Sequence, residues 1–195
     1  MDDQLIRDIH DFWFGELDAA GMPCADRNAL WFGGSAATDA ACRRYAPALE
    51  RALAGALDHW AHSDRGLVAL IVLLDQFSRN VYRSTPRAFA GDTRALALAR
   101  RCIDSGRDNR LPAIHRVFVY LPLEHSEESA AQRQSVRLFD ALAAGGDPRL
   151  AGFARYARAH RDVIERFGRF PHRNAILGRD STAAERDYLD RHRGF

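Results

Sequence analysis

The sequence contains no lysine, and all 28 of its residues with a fixed positive side-chain charge are arginines. Without a lysine amine, the chain cannot form the Schiff base of pyridoxal or carbonyl chemistry, and it lacks the lysines of Walker A loops and protein kinases. Each guanidinium stays charged and prefers planar anions that accept two parallel hydrogen bonds. The absence of lysine therefore excludes catalysis by a side-chain amine. No cofactor is expected.

Cysteines and long apolar runs are also scarce. There are three cysteines, an odd number, and no CxxC pair, which argues against both a disulfide framework and a cysteine-based zinc site. The longest apolar stretch covers nine residues, 66–74, whereas a membrane span needs about 20. The first residues are acidic and lack the apolar region of a signal peptide. These features predict a soluble, cytoplasmic protein that does not bind membranes.

The chain has 195 residues and a formal net charge of +2, with the positive excess in its last third. The length fits one domain, 1–195, that is large enough to bury a core. The isoelectric point of about 8.6 lies below the value of about 9 above which nucleic-acid-binding domains usually fall. We therefore expect no nucleic-acid partner.

Apolar residues recur with helical spacing almost throughout, and β-branched residues are few. The pattern predicts a single all-α domain of about seven or eight antiparallel helices, arranged as a bundle or a repeat-like stack. Residues 3–14 form the first helix, and a second runs from Ser35 or Thr38 to about residue 62. Expected caps of later helices are Ser63, Asp92 and a Thr182–Glu185 capping box.

The first unusual segment is LLDQFSRN, residues 73–80, where polar residues interrupt an apolar helix. A buried carboxylate needs a partner, because burying it alone is very costly. Asp75 therefore either caps a neighbouring helix or pairs with an arginine, or else it faces a ligand. If Asp75 faces a ligand, it is a candidate catalytic group, and Arg79 and Asn80 are candidate ligand-binding residues.

The second segment is YLPLEHSEE, residues 120–128, in which a histidine lies among three carboxylates. His125 could act as a general base, with Glu124 or Asp75 orienting its ring. A metal site is the alternative, because His125 and Glu128 would share a helix face, but the paired ExxH motifs of di-iron bundles are missing. No metal is predicted. Glu127 and Glu128 are more simply explained as acids at a helix N-terminus.

The third segment is FGRFPHRN followed by LGR, which places three arginines within eleven residues of a glycine- and aromatic-rich loop. One interpretation is a clamp for a carboxylate or phosphate ligand. The other is a structural loop in which the arginines pair with Asp75, Glu124 or Glu128. The candidate ligand-binding residues of this loop are Arg169, His172, Arg173, Asn174 and Arg179.

These three segments, with ST-x2-E-x2-YL at 181–189, DFWF at 11–14, WF at 31–32 and AFAGD at 88–92, resemble the bacterial family catalogued as domain of unknown function 924. The resemblance covers nearly the whole chain. It implies an all-helical, tetratricopeptide-like fold and brings no established activity. It places nine of the candidates above at motif positions without assigning them roles. The second motif often has phenylalanine where this chain has Leu123, a conservative change.

Two functions follow as hypotheses. In the first, the three motifs converge on a pocket that binds a small anionic ligand or a peptide terminus, with His125 and either Glu124 or Asp75 as an acid/base pair for any catalysis. In the second, a tetratricopeptide-like stack binds a protein partner and the polar motifs are internal struts. Unpaired guanidinium groups beside a cavity would favour the first, and arginines fully paired with carboxylates would favour the second.

Overall fold

The computed structural model describes residues 2–192, which are all-α and contain no strand. The α-helices are α1 Asp2–Trp13, α2 Asn28–Phe32, α3 Ala36–Arg43, α4 Ala46–Leu53, α5 Asp64–Ile71, α6 Ser78–Val81, α7 Asp92–Asp104, α8 Ala113–Glu124, α9 Ser129–Ala143, α10 Ala151–Phe167 and α11 Ala183–Arg191. A π-helical segment, Val72–Phe77, joins α5 to α6. Short 3-10 turns lie at Asp58–His62, Pro86–Phe89, Arg107–Arg110, Pro148–Leu150 and Pro171–Arg173.

The described chain divides into two compact units. The first unit contains residues 2–83 and 87–122, and the second contains residues 84–86 and 123–192. The single-domain organisation expected from the sequence stays a prediction. No helix of residues 2–192 is both long enough and apolar enough to cross a membrane.

Side-chain caps begin several helices where the sequence predicts them. The hydroxyl groups of Ser35 and Ser63 each accept the backbone N–H three residues ahead, at 3.1 Å, and so begin α3 and α5. Thr182 and Glu185 form the predicted capping box of α11. Such caps satisfy N–H groups that the first helical turn leaves without a partner.

Two local predictions are wrong. The helix expected to run from Ser35 to about residue 62 is divided into α3, α4 and a 3-10 turn. Pro47 explains the first break, because it has no N–H to donate to the carbonyl of Arg43 four residues earlier. Asp92 does not cap α7, because Gly91 occupies the cap position and the Asp92 carboxylate binds an arginine of another helix.

Aromatic side chains of α1, the π-helical segment and α8 form the core of the first unit. Trp13 is fully buried and meets Phe77 and Phe118 edge-on, with ring centroids 5.1 and 5.9 Å away. The indole N–H of Trp31 donates to the Trp13 carbonyl at 2.9 Å, which fixes α2 against this core. The Trp31 side chain therefore has a structural role.

The chain is buried on all sides from Leu67 through Phe77, which covers the end of α5 and the π-helical segment. Gly91 packs directly on its backbone: a Cβ at this position would lie 2.2 Å from the carbonyl oxygen of Leu74. No side chain fits into that distance without moving one of the two backbones. The glycine of the AFAGD motif therefore lets α7 begin against the π-helical segment that holds Asp75.

In the second unit, α9 and α10 pack against each other, with Phe139 and Phe153 stacked at 6.4 Å. The C-terminal part of α10 forms an apolar cluster with the loop that follows it and with α11. The members of this cluster are Val163, Ile164, Phe167, Phe170 and Tyr188.

Candidate functional site

The turn after α8 is held by one buried glutamine. The helix continues past Pro122 and stops at Glu124. Gln132 of α9 donates its side-chain amide to the carbonyl oxygens of Glu124 and Ser126, both at 2.6 Å. These bonds fix the backbone on either side of His125, so Glu124 is buried at 3% exposure and His125 is half-buried.

Glu127 anchors the third motif to this turn. Its carboxylate accepts the backbone N–H of Phe170 at 2.8 Å and two hydrogen bonds from the Arg179 guanidinium at 2.7 and 3.0 Å. Burial opposes ionisation, but these hydrogen bonds lower the pKa of Glu127 overall. The structure thus corrects the interpretation of Glu127 as an acid that decorates a helix N-terminus.

Arg169 and Arg179 lie in ion pairs within the second unit. Arg169 donates to both carboxylate oxygens of Glu185 at 2.6 and 2.9 Å, and it lowers the pKa of Glu185 to about 2. The sequence suggested Asp75, Glu124 or Glu128 as partners of these arginines, and the carboxylates found are instead Glu185 and Glu127. These contacts favour the structural interpretation for both arginines, and their role in ligand binding stays a prediction.

Four of the predicted residues come together around His160 of α10 and the aromatic ring of Phe170. Glu124 Oε1 lies 3.2 Å from His160 Nδ1, and the rings of His125 and His160 are 6.2 Å apart. Phe170 meets His160 edge-on at 5.5 Å and lies 5.6 Å from the ring of His172. The guanidinium of Arg173 lies over Phe170 at 4.5 Å from its centroid. We call this group the histidine cluster: Glu124, His125, His160, Phe170, His172 and Arg173.

His160 is a neutral imidazole at the centre of this cluster. Burial lowers its pKa to about 3, and the positive charges of His125, His172 and Arg173 act in the same direction. Its Nδ1 also donates to the carbonyl of Tyr156 at 2.9 Å, so Nδ1 carries the proton and Nε2 is the acceptor. Its contact with Glu124 is visible only in the structure.

Asn174 follows this cluster and is 1% exposed. Its amide nitrogen donates to the hydroxyl of Ser181 at 3.0 Å, whereas its Oδ1 is buried without a hydrogen-bond partner among residues 2–192. Its predicted role as a ligand-binding residue stays a prediction.

The first motif lies in the first unit and has partners of its own there. Asp75 Oδ1 is 3.2 Å from the guanidinium of Arg79, and the amide of Gln76 donates to Asp75 Oδ2 at 2.6 Å. Arg79 also donates two hydrogen bonds to Asp92, at 2.9 and 3.1 Å. Burial opposes its charge, yet the two carboxylates raise the pKa of Arg79 overall. These contacts match the interpretation in which a buried carboxylate pairs with an arginine.

Asn80 is likewise tied to its own unit. Its amide nitrogen donates to the carbonyl of Gln76 at 3.0 Å, and its Oδ1 accepts from Arg83 at 2.9 Å. Arg83 in turn binds both oxygens of Asp39 at 2.7 Å. The catalytic role predicted for Asp75 and the ligand-binding roles predicted for Arg79 and Asn80 stay predictions.

Comparison with known proteins agrees with the resemblance of the motifs. Residues 9–193 match the model of a family described as bacterial protein of unknown function, DUF924. The chain belongs to this family. A solved structure of a protein of unknown function from Agrobacterium tumefaciens is 38% identical and covers 98% of this chain and 99% of its own, with a TM-score of 0.82. Among curated proteins, none matches the chain.

The family match includes all three motifs and every residue of the histidine cluster. It supports the all-α fold, while the tetratricopeptide-like character stays a prediction. Within the described part of the chain, no group of three or more His, Cys, Asp or Glu side chains is arranged to hold a metal ion.

A cavity of about 380 Å³ in the first unit is lined by no residue of the three motifs. It lies between α1, the start of α5 and the start of α8. Its lining residues are His10, Asp11, Phe14, Gly15, Leu17, Asp64, Arg65, Arg110, Leu111, Pro112 and His115. Sequence reasoning missed this site because its polar residues are isolated in three distant segments. The signal that could have found it is a pair of histidines, each on an otherwise apolar helix face.

Two imidazoles form an aromatic wall of this cavity together with Phe14. The rings of His10 and His115 meet edge-on at 4.9 Å, and Phe14 lies 5.3 and 4.5 Å from them. Burial lowers the pKa of both histidines, that of His115 to about 3. His10 Nε2 donates to the Arg65 carbonyl at 2.9 Å, whereas His115 Nε2 is buried without a partner among the described residues.

Proposed function

We propose that the second unit binds a small molecule through a carboxylate or phosphate group, at the histidine cluster. The observation that carries the proposal is that two partly accessible imidazoles and one guanidinium converge on the buried contact between Glu124 and His160. The ring of His125 lies 6.2 Å from that of His160, and His172 and Arg173 both contact the Phe170 ring, which meets His160 edge-on. His125 and His172 are half-buried, so part of each imidazole is accessible to a ligand.

The chemistry of these groups fits an anion. A guanidinium binds planar carboxylate and phosphate groups through two hydrogen bonds, and the N–H groups of imidazoles add further donors. The Phe170 ring beneath Arg173 holds the guanidinium plane by a cation–π contact. We assign the ligand contacts to His125, His172 and Arg173. Glu124 and His160 orient them.

The ligand set omits three arginines. Arg169, Arg179 and Arg79 have carboxylate partners within their own units, namely Glu185, Glu127 and the Asp75–Asp92 pair. Binding a ligand anion would require them to give up these charge-assisted bonds.

A second candidate function is a scaffold for a protein partner, in which the motifs serve as struts. The pairs of Arg169 with Glu185 and of Arg179 with Glu127 favour it, since they connect the loop of the third motif to α11 and to the turn before α9. The two candidates differ in what the histidine cluster does, so one experiment separates them.

The test is a thermal unfolding series with inorganic phosphate and with N-acetylglycine, which mimics a peptide carboxyl terminus. A ligand that binds only the native state raises the unfolding midpoint as its concentration rises. We expect at least one probe to do so, and His125→Gln and His172→Gln to abolish the shift. The matched control is His192→Gln, an exposed histidine of the same unit.

A midpoint that no probe raises, combined with strong destabilisation by His125→Gln, would support the scaffold instead. Equal loss of the shift in His192→Gln would mean that binding is nonspecific and would overturn the proposal.

We also place the protein in the cytoplasm as part of this proposal. All three cysteines are free thiols in the structure, two of them buried, which suits a reducing compartment.

A further inference from the structure

Two turns of the second unit carry the proposed ligand contacts, and Phe170 connects them. His125 lies on the turn between α8 and α9, whereas His172 and Arg173 lie on the 3-10 turn Pro171–Arg173. That 3-10 turn is closed by a hydrogen bond from the Arg173 N–H to the Phe170 carbonyl at 3.1 Å. The placement of Phe170 against the first turn therefore decides where His172 and Arg173 lie relative to His125.

One ion pair holds both backbone polar groups of Phe170. The Glu127 carboxylate, two residues after His125, accepts the Phe170 N–H at 2.8 Å. The Arg179 guanidinium donates to both oxygens of that carboxylate, at 2.7 and 3.0 Å, and also to the Phe170 carbonyl at 3.2 Å. The pair of Glu127 and Arg179 thus joins the turn of His125 to the start of the 3-10 turn.

The Phe170 ring extends this placement to the side chains of the histidine cluster. The ring is fully buried, meets His160 edge-on at 5.5 Å and lies 5.6 Å from the ring of His172. The guanidinium of Arg173 lies over the same ring. Because protein interiors are closely packed, a shift of the Phe170 backbone would move this ring and the groups that contact it.

The other ion pair of the loop binds a different part of the unit. Arg169 also donates two hydrogen bonds to one carboxylate, but this carboxylate belongs to Glu185 of α11. Its third bond is to the Asp180 carbonyl at 2.8 Å, again on the C-terminal side of the loop. In a scaffold the two pairs would be equivalent struts, whereas only the pair of Glu127 and Arg179 joins the two turns that carry the proposed ligand contacts.

We propose that Glu127 and Arg179 are positioning residues of the anion site, a role that rests on the function proposed above. They hold His172 and Arg173 where these residues can bind the same ligand as His125, and they make no contact with the ligand themselves. The affinity of the site for an anion then depends on a carboxylate, although a negative charge by itself repels an anion.

The test is titration of the parent chain and of Glu127→Gln with inorganic phosphate and with N-acetylglycine. The concentration dependence of the unfolding midpoint gives the dissociation constants. Glutamine keeps an oxygen for the Phe170 N–H but loses the charge that binds Arg179. Electrostatics alone predicts tighter anion binding by this variant, whereas loss of positioning predicts weaker binding, by about tenfold if the effect resembles that of the residues that orient metal ligands.

Two further variants complete the titration. Arg179→Gln should also weaken binding, and the double variant should bind no more weakly than the weaker of the two single variants, since the two residues act as one unit. The matched control is Glu185→Gln, which removes a carboxylate charge from an arginine of the same loop and keeps the capping box of α11. It should leave the affinity for both probes unchanged.

NMR of the histidine side chains measures the positioning without a ligand. The ring current of Phe170 affects the imidazole C–H signals of His160 and His172, so these signals should shift in Glu127→Gln and keep their positions in Glu185→Gln. The histidines of the first unit are internal references. Glu127→Asp is the second variant if Glu127→Gln does not fold: it keeps the charge, but its shorter side chain cannot reach both Phe170 and Arg179.

Unchanged imidazole signals in the Glu127 variants would overturn the proposal, as would unchanged or tighter anion binding by Glu127→Gln. Equal effects of Glu185→Gln would show that the two ion pairs are equivalent struts and would overturn it as well. If neither probe raises the midpoint of the parent chain, the proposed function fails, whereas the imidazole signals still decide whether Glu127 positions the histidine cluster.

Discussion

The buried imidazole of His115 should make the first unit sensitive to mild acid, and His115→Phe should remove the part of that sensitivity that His115 causes. Burial, followed by the positive charges of His10 and Arg65, lowers the pKa of His115 from 6.5 to about 3. Between these two values the unfolded chain binds a proton that the folded chain does not. Stability is therefore complete above pH 6.5 and falls as the pH decreases toward 3. Phenylalanine keeps a ring against His10 and Phe14 but does not titrate.

The size of the effect follows from the pKa difference. Each pH unit below 6.5 costs about 1.4 kcal/mol for one such histidine, so the loss between pH 7.5 and pH 5 is about 2 kcal/mol. That is a large part of the total stability of an ordinary domain, about 5 to 15 kcal/mol. His115→Phe should lose about 2 kcal/mol less than the parent chain over the same pH interval, whatever its stability at pH 7.5.

Urea denaturation followed by tryptophan fluorescence measures this difference. All three tryptophans, Trp13, Trp31 and Trp60, lie in the first unit and report on its unfolding. His62→Gln, at an exposed position of the same unit, serves as the control and should leave the pH dependence unchanged. An unfolding free energy that falls as steeply in His115→Phe as in the parent chain would refute the reasoning.

Three further predictions concern other contacts. Gly91→Ala should lower the free energy of unfolding by at least about 2 kcal/mol in urea denaturation, because its Cβ would lie 2.2 Å from the Leu74 carbonyl; an unchanged value would contradict the close packing. Glu185→Gln keeps the capping box but removes the charge that binds Arg169. Because the pKa of Glu185 is lowered to about 2, the parent chain loses this stabilisation as the pH falls from 4.5 to 2. The thermal midpoint of the variant should therefore fall less than that of the parent chain over the same range. His125→Ala should change stability by less than about 1 kcal/mol if it serves a ligand, whereas loss of a strut would cost about 3 to 5 kcal/mol by chemical denaturation.

Local helix signals in this sequence are reliable where a single side chain decides the outcome. Ser35, Ser63 and the Thr182–Glu185 box begin helices as predicted, because each satisfies N–H groups of its own first turn. The prediction that one helix spans residues 35–62 fails for an equally local reason, since Pro47 cannot donate the hydrogen bond that continuity requires.

The partners of the charged motif residues could not be predicted in the same way. Arg169 meets Glu185 and Arg179 meets Glu127, yet the sequence offered Glu124, Glu128 and Asp75 as equally plausible acids. An arginine side chain is long and flexible, so its partner is decided by tertiary packing rather than by spacing along the chain.

The two sites show which groups of side chains can be predicted from the sequence and which cannot. The histidine cluster was partly foreseen, because His125, His172 and Arg173 stand out within polar, turn-rich motifs. The cavity around His10 and His115 was missed, because each histidine lies within a helix and becomes unusual only when the other is placed 4.9 Å away.

The amide of Gln132 limits which mutations the second unit can accept. It lies against the backbone carbonyls of Leu123, Glu124 and Ser126, three partial negative charges in the most acidic stretch of the chain. Glutamate has the same shape, but it would bring a full negative charge into that ring of oxygens. Gln132→Glu, which is usually a mild substitution, is therefore among the most damaging at this position. The substitutions that the turn can tolerate depend on Gln132, although this residue makes none of the proposed ligand contacts.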